Sequence, residues 1–130
     1  MATIKSFTDL SQSKKLAEIL PLESADMYYH NRVDIPDNFP LPIEWKHNNP
    51  LLSQEIPCWS LAALLDILES EIDGEEGETY QLNIEKDGTW WNVWYRERYD
   101  EANPIETEST EDLVDACVAM IENLHEQNLL

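Results

Sequence analysis

Two alternating runs meet at a single Asp-Gly. Thr79 to Glu85 sets Tyr80, Leu82 and Ile84 against Gln81, Asn83 and Glu85, and Trp90 to Tyr99 sets Trp91, Val93 and Tyr95 against Trp90, Asn92, Trp94 and Arg96. Side chains alternate between the two faces of a strand, and Asp-Gly between such runs is the strongest short-range hairpin signal. The stretch therefore predicts two antiparallel strands joined at Lys86-Asp87-Gly88-Thr89. A lone hairpin is at best marginally stable in water, so the rest of the chain has to cover its apolar face.

Three segments can supply that cover. Phe7 to Leu20 carries Phe7, Leu10, Leu16, Ala17, Ile19 and Leu20, with Thr8 placed to cap a helix and Pro21 just beyond its end. Pro57 precedes the run Cys58 to Leu68, which is apolar on nearly every side and reads as a helix at the centre of a small domain. Near the end, Ser109 or Thr110 is placed to cap a helix whose face is Leu113, Val114, Cys117, Val118, Ile121 and Leu124. Its early acids, Glu111, Asp112 and Asp115, suit the positive end of the helix dipole.

The remainder reads as one further strand and loops. Met27 to Val33 suits a strand, after which Pro36, Pro40 and Pro42 confine the chain through Ile43 to a loop or an isolated edge pairing, because proline cannot donate to a ladder. That excursion is expected to be extended and pinned by Phe39 and Trp45. Glu69 to Glu78 and Asp100 to Thr107 read as exposed acidic loops. Helices at both ends and in the middle, around a small antiparallel sheet built on the hairpin, predict an α+β fold. With 130 residues the chain is about one domain, and a domain of that size buries roughly two thirds of its unfolded surface.

Charge narrows the partners. The chain holds 27 Asp and Glu against 8 Lys and Arg, a net charge of −19. Residues 1–65 carry 8 acids and 5 bases, net −3, and residues 66–130 carry 19 acids and 3 bases, net −16. Direct binding to nucleic acid or to an anionic membrane needs Lys and Arg to neutralise phosphates, so the expected partners are cations or basic proteins. Cys58 and Cys117 lack CxxC spacing, which fits reduced thiols in a cytoplasm. The first twenty residues lack the apolar core of a secretory signal, and the longest uncharged apolar stretch, Ile56 to Leu65, is about half a membrane span. A soluble cytoplasmic protein is expected.

Four features have chemical potential. Cys58 is expected to open the central helix, where backbone N–H groups and the helix dipole lower a thiol pKa. Cys58-Trp59 is locally similar to the Cys-Trp that begins the catalytic helix of papain-like cysteine proteases. A nucleophile of that kind needs a base within reach. The histidines are His30 and His47, both upstream, and His125 at the end of an acidic helix, whereas the papain-like base lies downstream on a strand. A buried core cysteine is the competing reading. Glu69, Glu71, Asp73 and Gly74 mimic positions 1, 3, 5 and 6 of a calcium loop, but Tyr80 stands where the bidentate glutamate belongs and a strand follows instead of a helix. On the outer hairpin face, Trp90 and Trp94 lie near Gln81, Asn83, Arg96 and Arg98 and need either a helix over them or a partner. Finally, the carboxylates of the second half could imitate a nucleic-acid backbone, against the plain alternative of solubility. No phosphate-binding loop is possible with only Gly74, Gly77 and Gly88, and no Cys/His set has metal spacing, so no cofactor is expected.

The pieces Ser13-Lys14-Lys15-Leu16-Ala17-Glu18-Ile19-Leu20-Pro21-Leu22-Glu23-Ser24-Ala25-Asp26-Met27, Pro57-Cys58-Trp59-Ser60-Leu61-Ala62-Ala63-Leu64-Leu65 and Leu113-Val114-Asp115-Ala116-Cys117 resemble a group of small uncharacterised proteins of gut Bacteroides and their phages or other mobile elements. The resemblance implies a small single domain in a bacterial cytoplasm and carries no functional residue. The reading that follows is a non-enzymatic interaction or regulatory protein that binds a protein partner through Trp90, Trp94 and Arg96, with the loops around Glu75 and Glu106 tuning which partner approaches. The alternatives are a Cys58-dependent hydrolase or transferase and an acidic nucleic-acid mimic.

Overall fold

The computed structural model describes residues 5–30, 41–99 and 103–130. Among these residues are three α-helices and two antiparallel sheets, of three and four strands, which make an α+β fold. The chain divides into two compact units, Ser6–Ala63 and Leu64–Leu130 with Lys5.

In the first unit, helix α1 (Leu10–Ala17) begins one residue later than a Thr8 cap requires. Asp9 is the cap instead: its carboxylate accepts the Gln12 N–H at 2.8 Å while the Gln12 side chain accepts the Asp9 N–H at 3.0 Å. That reciprocal box satisfies two orphan donors at once, and Thr8, with Ser11 three residues on, cannot build it. Thr8 is wholly buried and ties the segment before α1 to Trp59, donating its N–H to the Trp59 carbonyl at 2.9 Å and accepting the Trp59 N–H on its hydroxyl at 3.1 Å.

Strand β1 (Met27–Tyr29) lies between β2 (Ile43–Glu44) and β3 (Ile56–Cys58). Tyr28 stands opposite Ile43 on one side and opposite Pro57 on the other, so the proline occupies an edge strand, where its missing N–H leaves no central ladder bond unmade. β2 is the isolated edge pairing expected after the prolines. Val33, Pro36, Phe39 and Pro40 lie outside the described residues. Trp45 donates its N–H to the Asp26 carbonyl at 3.0 Å and stacks on His47 at 3.9 Å between ring centroids.

Cys58 does not open a helix. It ends β3, and α2 (Leu61–Ile67) starts three residues later. The delay has a cause in Asp26, whose carboxylate accepts both the Ser60 N–H, at 2.8 Å, and the Ser60 hydroxyl. Ser60 also bridges to Phe7, and Leu61 donates to the Ser6 carbonyl at 2.9 Å, so the backbone stays extended through residue 60. The Ser60 oxygen then caps α2 by accepting the Ala63 N–H at 3.1 Å. Within α2 only Leu64 is fully buried and Ala62 and Asp66 are exposed, so the helix is one-sided rather than buried all round.

The second unit holds β4 (Glu71–Asp73), β5 (Thr79–Asp87), β6 (Trp90–Glu97) and β7 (Ile105–Glu106), hydrogen-bonded in that order, with helix α3 (Leu113–Glu126) against β6. Both stretches expected as acidic loops contain a strand. Glu71-Ile72-Asp73 alternates about one buried side chain, Ile72, and turns back at Gly74, whose N–H donates to the Glu78 carbonyl at 2.7 Å. Ile105 is buried in the same way and pairs with Tyr95. The central hairpin turns over two residues, Gly88-Thr89, with Asp87 opposite Trp90. Gly88 has φ +64, and a positive φ at the first turn position is what a two-residue turn demands of glycine.

Asp112, not Ser109 or Thr110, caps α3. One carboxylate oxygen accepts the N–H groups of Val114 and Asp115 at 2.9 and 3.3 Å, and the other accepts the Lys5 N–H at 2.8 Å. Thr110 is taken by the sheet, where it exchanges two backbone hydrogen bonds with Trp91. Replacing Asp112 by alanine leaves helix-end donors unsatisfied, and the expected cost is about 1 kcal/mol, a few degrees in Tm. Ser109→Ala should leave the melt where it is; equal losses in the two variants by thermal circular dichroism would contradict the assignment of the cap.

Candidate functional site

The β5–β6 register sorts the hairpin into two faces. Leu82 stands opposite Tyr95 and Ile84 opposite Val93, on the side where Val93 and Tyr95 are buried. Tyr95 brings a polar tip into that core and satisfies it by donating to the Glu69 carbonyl at 2.7 Å. Trp91 belongs to the same side but is only half-buried, with the Lys86 ammonium 5.3 Å from its ring centroid.

The other face presents Trp90, Asn92, Trp94 and Arg96 in a row along β6. Across from them on β5 stand Asp87, Glu85, Asn83 and Gln81, and Glu106 of β7 stands opposite Trp94 from the other side. Trp90 is 48% exposed, Trp94 is half-buried and Arg96 is exposed. Beside Trp94 lies a groove of about 260 Å³, lined by Glu85, Asn92, Val93, Trp94, Glu106 and Thr107. Its wall is held by Ser109, whose hydroxyl donates to the Asn92 side-chain oxygen. The Thr107 hydroxyl is buried and has no hydrogen-bond partner, which is unusual enough among buried polar groups to require a reason.

The three residues expected at the site, Trp90, Trp94 and Arg96, thus share one face, with the groove beside Trp94. Glu106, expected in a loop, is a strand residue facing Trp94, while Glu75 is exposed in the turn after β4. Glu85, Asn92 and Thr107 were not among the expected residues. Counting the ladder back from Gly88-Thr89 places Glu85 beside Asn92, whereas nothing in the sequence marks a two-residue strand at 105–106.

Cys58 has surroundings unlike those of a nucleophile. It is fully buried in β3, with its sulfur 3.5 Å from the Thr8 hydroxyl and 3.4 Å from the Thr8 carbonyl. Burial raises its pKa, and hydrogen bonds from the hydroxyls of Thr8, Ser13 and Tyr29 offset that only in part. His30 pairs with Glu55 at 3.2 Å, His47 meets the Ala25 carbonyl at 2.8 Å, and His125 lies exposed in the last turn of α3. The calcium-like stretch is a strand at Glu71–Asp73, so its carboxylates do not curl around a common centre. Among the described residues no three His, Cys, Asp or Glu side chains are grouped to hold a metal ion, and no helix is long and apolar enough to cross a membrane.

Comparison with known proteins finds no matching family model, no matching curated protein and no matching solved structure.

The cysteines give a pH prediction. Burial pushes the Cys117 thiol up to about 12, and Asp112 adds to the shift. A thiol held protonated in the folded state but free to ionise when unfolded contributes stability that is complete below the unfolded pKa and is lost as pH rises through the folded one. The unfolding free energy should therefore fall between about pH 9 and pH 12, and Cys117→Ala should flatten that fall in urea titrations. Both cysteines should resist iodoacetamide at neutral pH until the chain is unfolded; rapid alkylation of native Cys58 would show a thiolate that burial ought to suppress.

Proposed function

We propose that this protein is a non-enzymatic interaction protein of a bacterial cytoplasm, which captures a basic protein partner through the Trp90, Trp94 and Arg96 face of β6. The observation that carries the reading is Trp90, 48% exposed beside the hairpin turn, in line with a half-buried Trp94 that borders a groove. Large aromatic side chains left in water on a sheet are costly, and tryptophan and arginine dominate the binding energy of protein interfaces. The rim is acidic, and a net −16 over residues 66–130 favours encounter with a positively charged partner.

Acidic mimicry of nucleic acid draws on the same charge but makes no use of the tryptophans. A thiol hydrolase would need Cys58 to meet solvent and a base, and its surroundings in β3 provide neither.

The test is a pull-down from nuclease-treated bacterial lysate at low and high salt, with captured proteins identified by mass spectrometry. A single enriched partner is expected, weakened but not abolished at high salt. Trp90→Ala and Trp94→Phe should each cut its recovery at least about fivefold, in the range of truncating an interface anchor, without moving the melting temperature by more than a few degrees. Recovery unchanged in both variants removes the site. A partner released completely by salt and competed by DNA would replace the reading with charge mimicry.

A further inference from the structure

We infer that the groove beside Trp94 is an arginine pocket: it takes the guanidinium of an arginine side chain from a basic, extended segment of the partner. The inference rests on the reading of this face as a protein-binding surface and specifies what that surface recognises.

The geometry supplies three matched elements. The first is the half-buried indole of Trp94, one side of which borders the groove, and a planar guanidinium stacks on an indole better than on any other side chain. The second is a pair of carboxylates. Glu85 lies on β5 and Glu106 on β7, so they flank the β6 row from opposite sides. Two strand spacings separate their backbones laterally by about 10 Å and two residues of strand offset them lengthwise by about 7 Å, so one carboxylate stands beside Asn92 and the other beside Trp94. The third is a polar wall formed by Asn92 and Thr107. Arginine has five donors in a fixed fork and suits several acceptors held at different angles, whereas the compact lysine ammonium neither stacks nor forks.

Charge sets the polarity of the face. Arg96 lies two residues beyond Trp94 on the same row, opposite Gln81. Towards the hairpin turn the row holds Asp87 opposite Trp90 and Glu85 opposite Asn92, with no basic residue on that face. An arginine entering the groove is therefore drawn to the side of Trp94 that faces Trp90, and Trp90 is left to cover the chain that carries it.

The test uses the full chain and the peptide acetyl-Gly-Arg-Gly-Arg-Gly-amide, alongside counterparts in which citrulline or lysine replaces arginine. Binding is followed through the indole N–H resonances in NMR spectra, assigned with Trp→Phe variants. The arginine peptide should move the Trp94 resonance at sub-millimolar concentration, and neutral citrulline should bind about tenfold more weakly, the loss typical of removing one charge-assisted contact. Lysine should fall between the two. Glu85→Gln with Glu106→Gln should weaken the arginine peptide about tenfold, and Glu75→Gln with Glu76→Gln, which removes the same charge from an exposed turn, should change it less than twofold. Equal affinity for arginine and citrulline, equal losses in the two double variants, or no shift of Trp94 up to millimolar peptide would each overturn the pocket. If the pocket fails while Trp90→Ala still releases the lysate partner, the face stands and only its occupant is wrong; if both fail, the face itself is lost.

Discussion

The second unit depends on the ladder between β5 and β6, which runs from Tyr80 opposite Glu97 to Asp87 opposite Trp90 without a bulge. Because side chains alternate, a slip of one residue would send Val93 and Tyr95 into water and Trp94 into the core. The register is pinned at the Gly88-Thr89 turn, where a two-residue loop admits only one pairing of the strands it joins. That single constraint makes the packed face and the open face at once. α3 lies on the packed side, with Val114, Cys117, Val118 and Ile121 buried, and the tryptophans and carboxylates are left together on the other.

The first unit is organised differently, around polar groups rather than a ladder. Thr8 and Ser13 are fully buried and share a hydrogen bond of 2.8 Å between their hydroxyls, Tyr29 donates to the Thr8 carbonyl at 2.6 Å, and the Cys58 sulfur lies against the same threonine. Buried polar atoms are tolerated when each has a partner, and such a network fixes geometry more narrowly than apolar contacts alone. Asp26 extends it: by holding Ser60 with both carboxylate oxygens, it fixes where β3 stops and α2 starts. Burial raises the pKa of the Tyr29 hydroxyl as it does that of the Cys58 thiol, so both stay protonated and in place as hydrogen-bond partners.

The central hairpin, α3 and the α+β class were legible because their signals are periodic and local. Trp91, Val93 and Tyr95 at period two, and Val114, Cys117, Val118 and Ile121 at helical spacing, need no knowledge of the rest of the chain. Two of the misplaced features depend on distant residues. Thr8 resembles a cap until Trp59 claims both its N–H and its hydroxyl, and Cys58 resembles a helix start until Asp26 holds Ser60 extended. Strands of two or three residues, such as β4 and β7, have too few positions to show a period, and the charge around Ile72 and Ile105 made them read as loops. For the same reason the shared face of Trp90, Trp94 and Arg96 follows from the alternation alone, while Glu106, which reaches that face only through β7, could not be placed beside them.

The acidity of the chain and the acidity of the groove act over different distances. At physiological ionic strength charges are screened beyond about 8 Å, so acids remote from the groove would steer the proposed basic partner as it approaches but contribute little once it has docked. Glu85 and Glu106 line the groove itself, where they lie close enough to Trp94 for a direct charge-assisted bond to a cation held there. If the face binds as proposed, net charge would set the rate at which basic proteins in general arrive, and the groove would decide which of them stays. Selectivity then comes from shape as well as sign: a cation that cannot lie flat on the indole keeps its water and gains little from the carboxylates. On the proposed reading the same division would let a surface this negative discriminate, because the long-range term is shared by every basic competitor and cancels from the comparison, leaving Trp94 and its two flanking glutamates to make the difference.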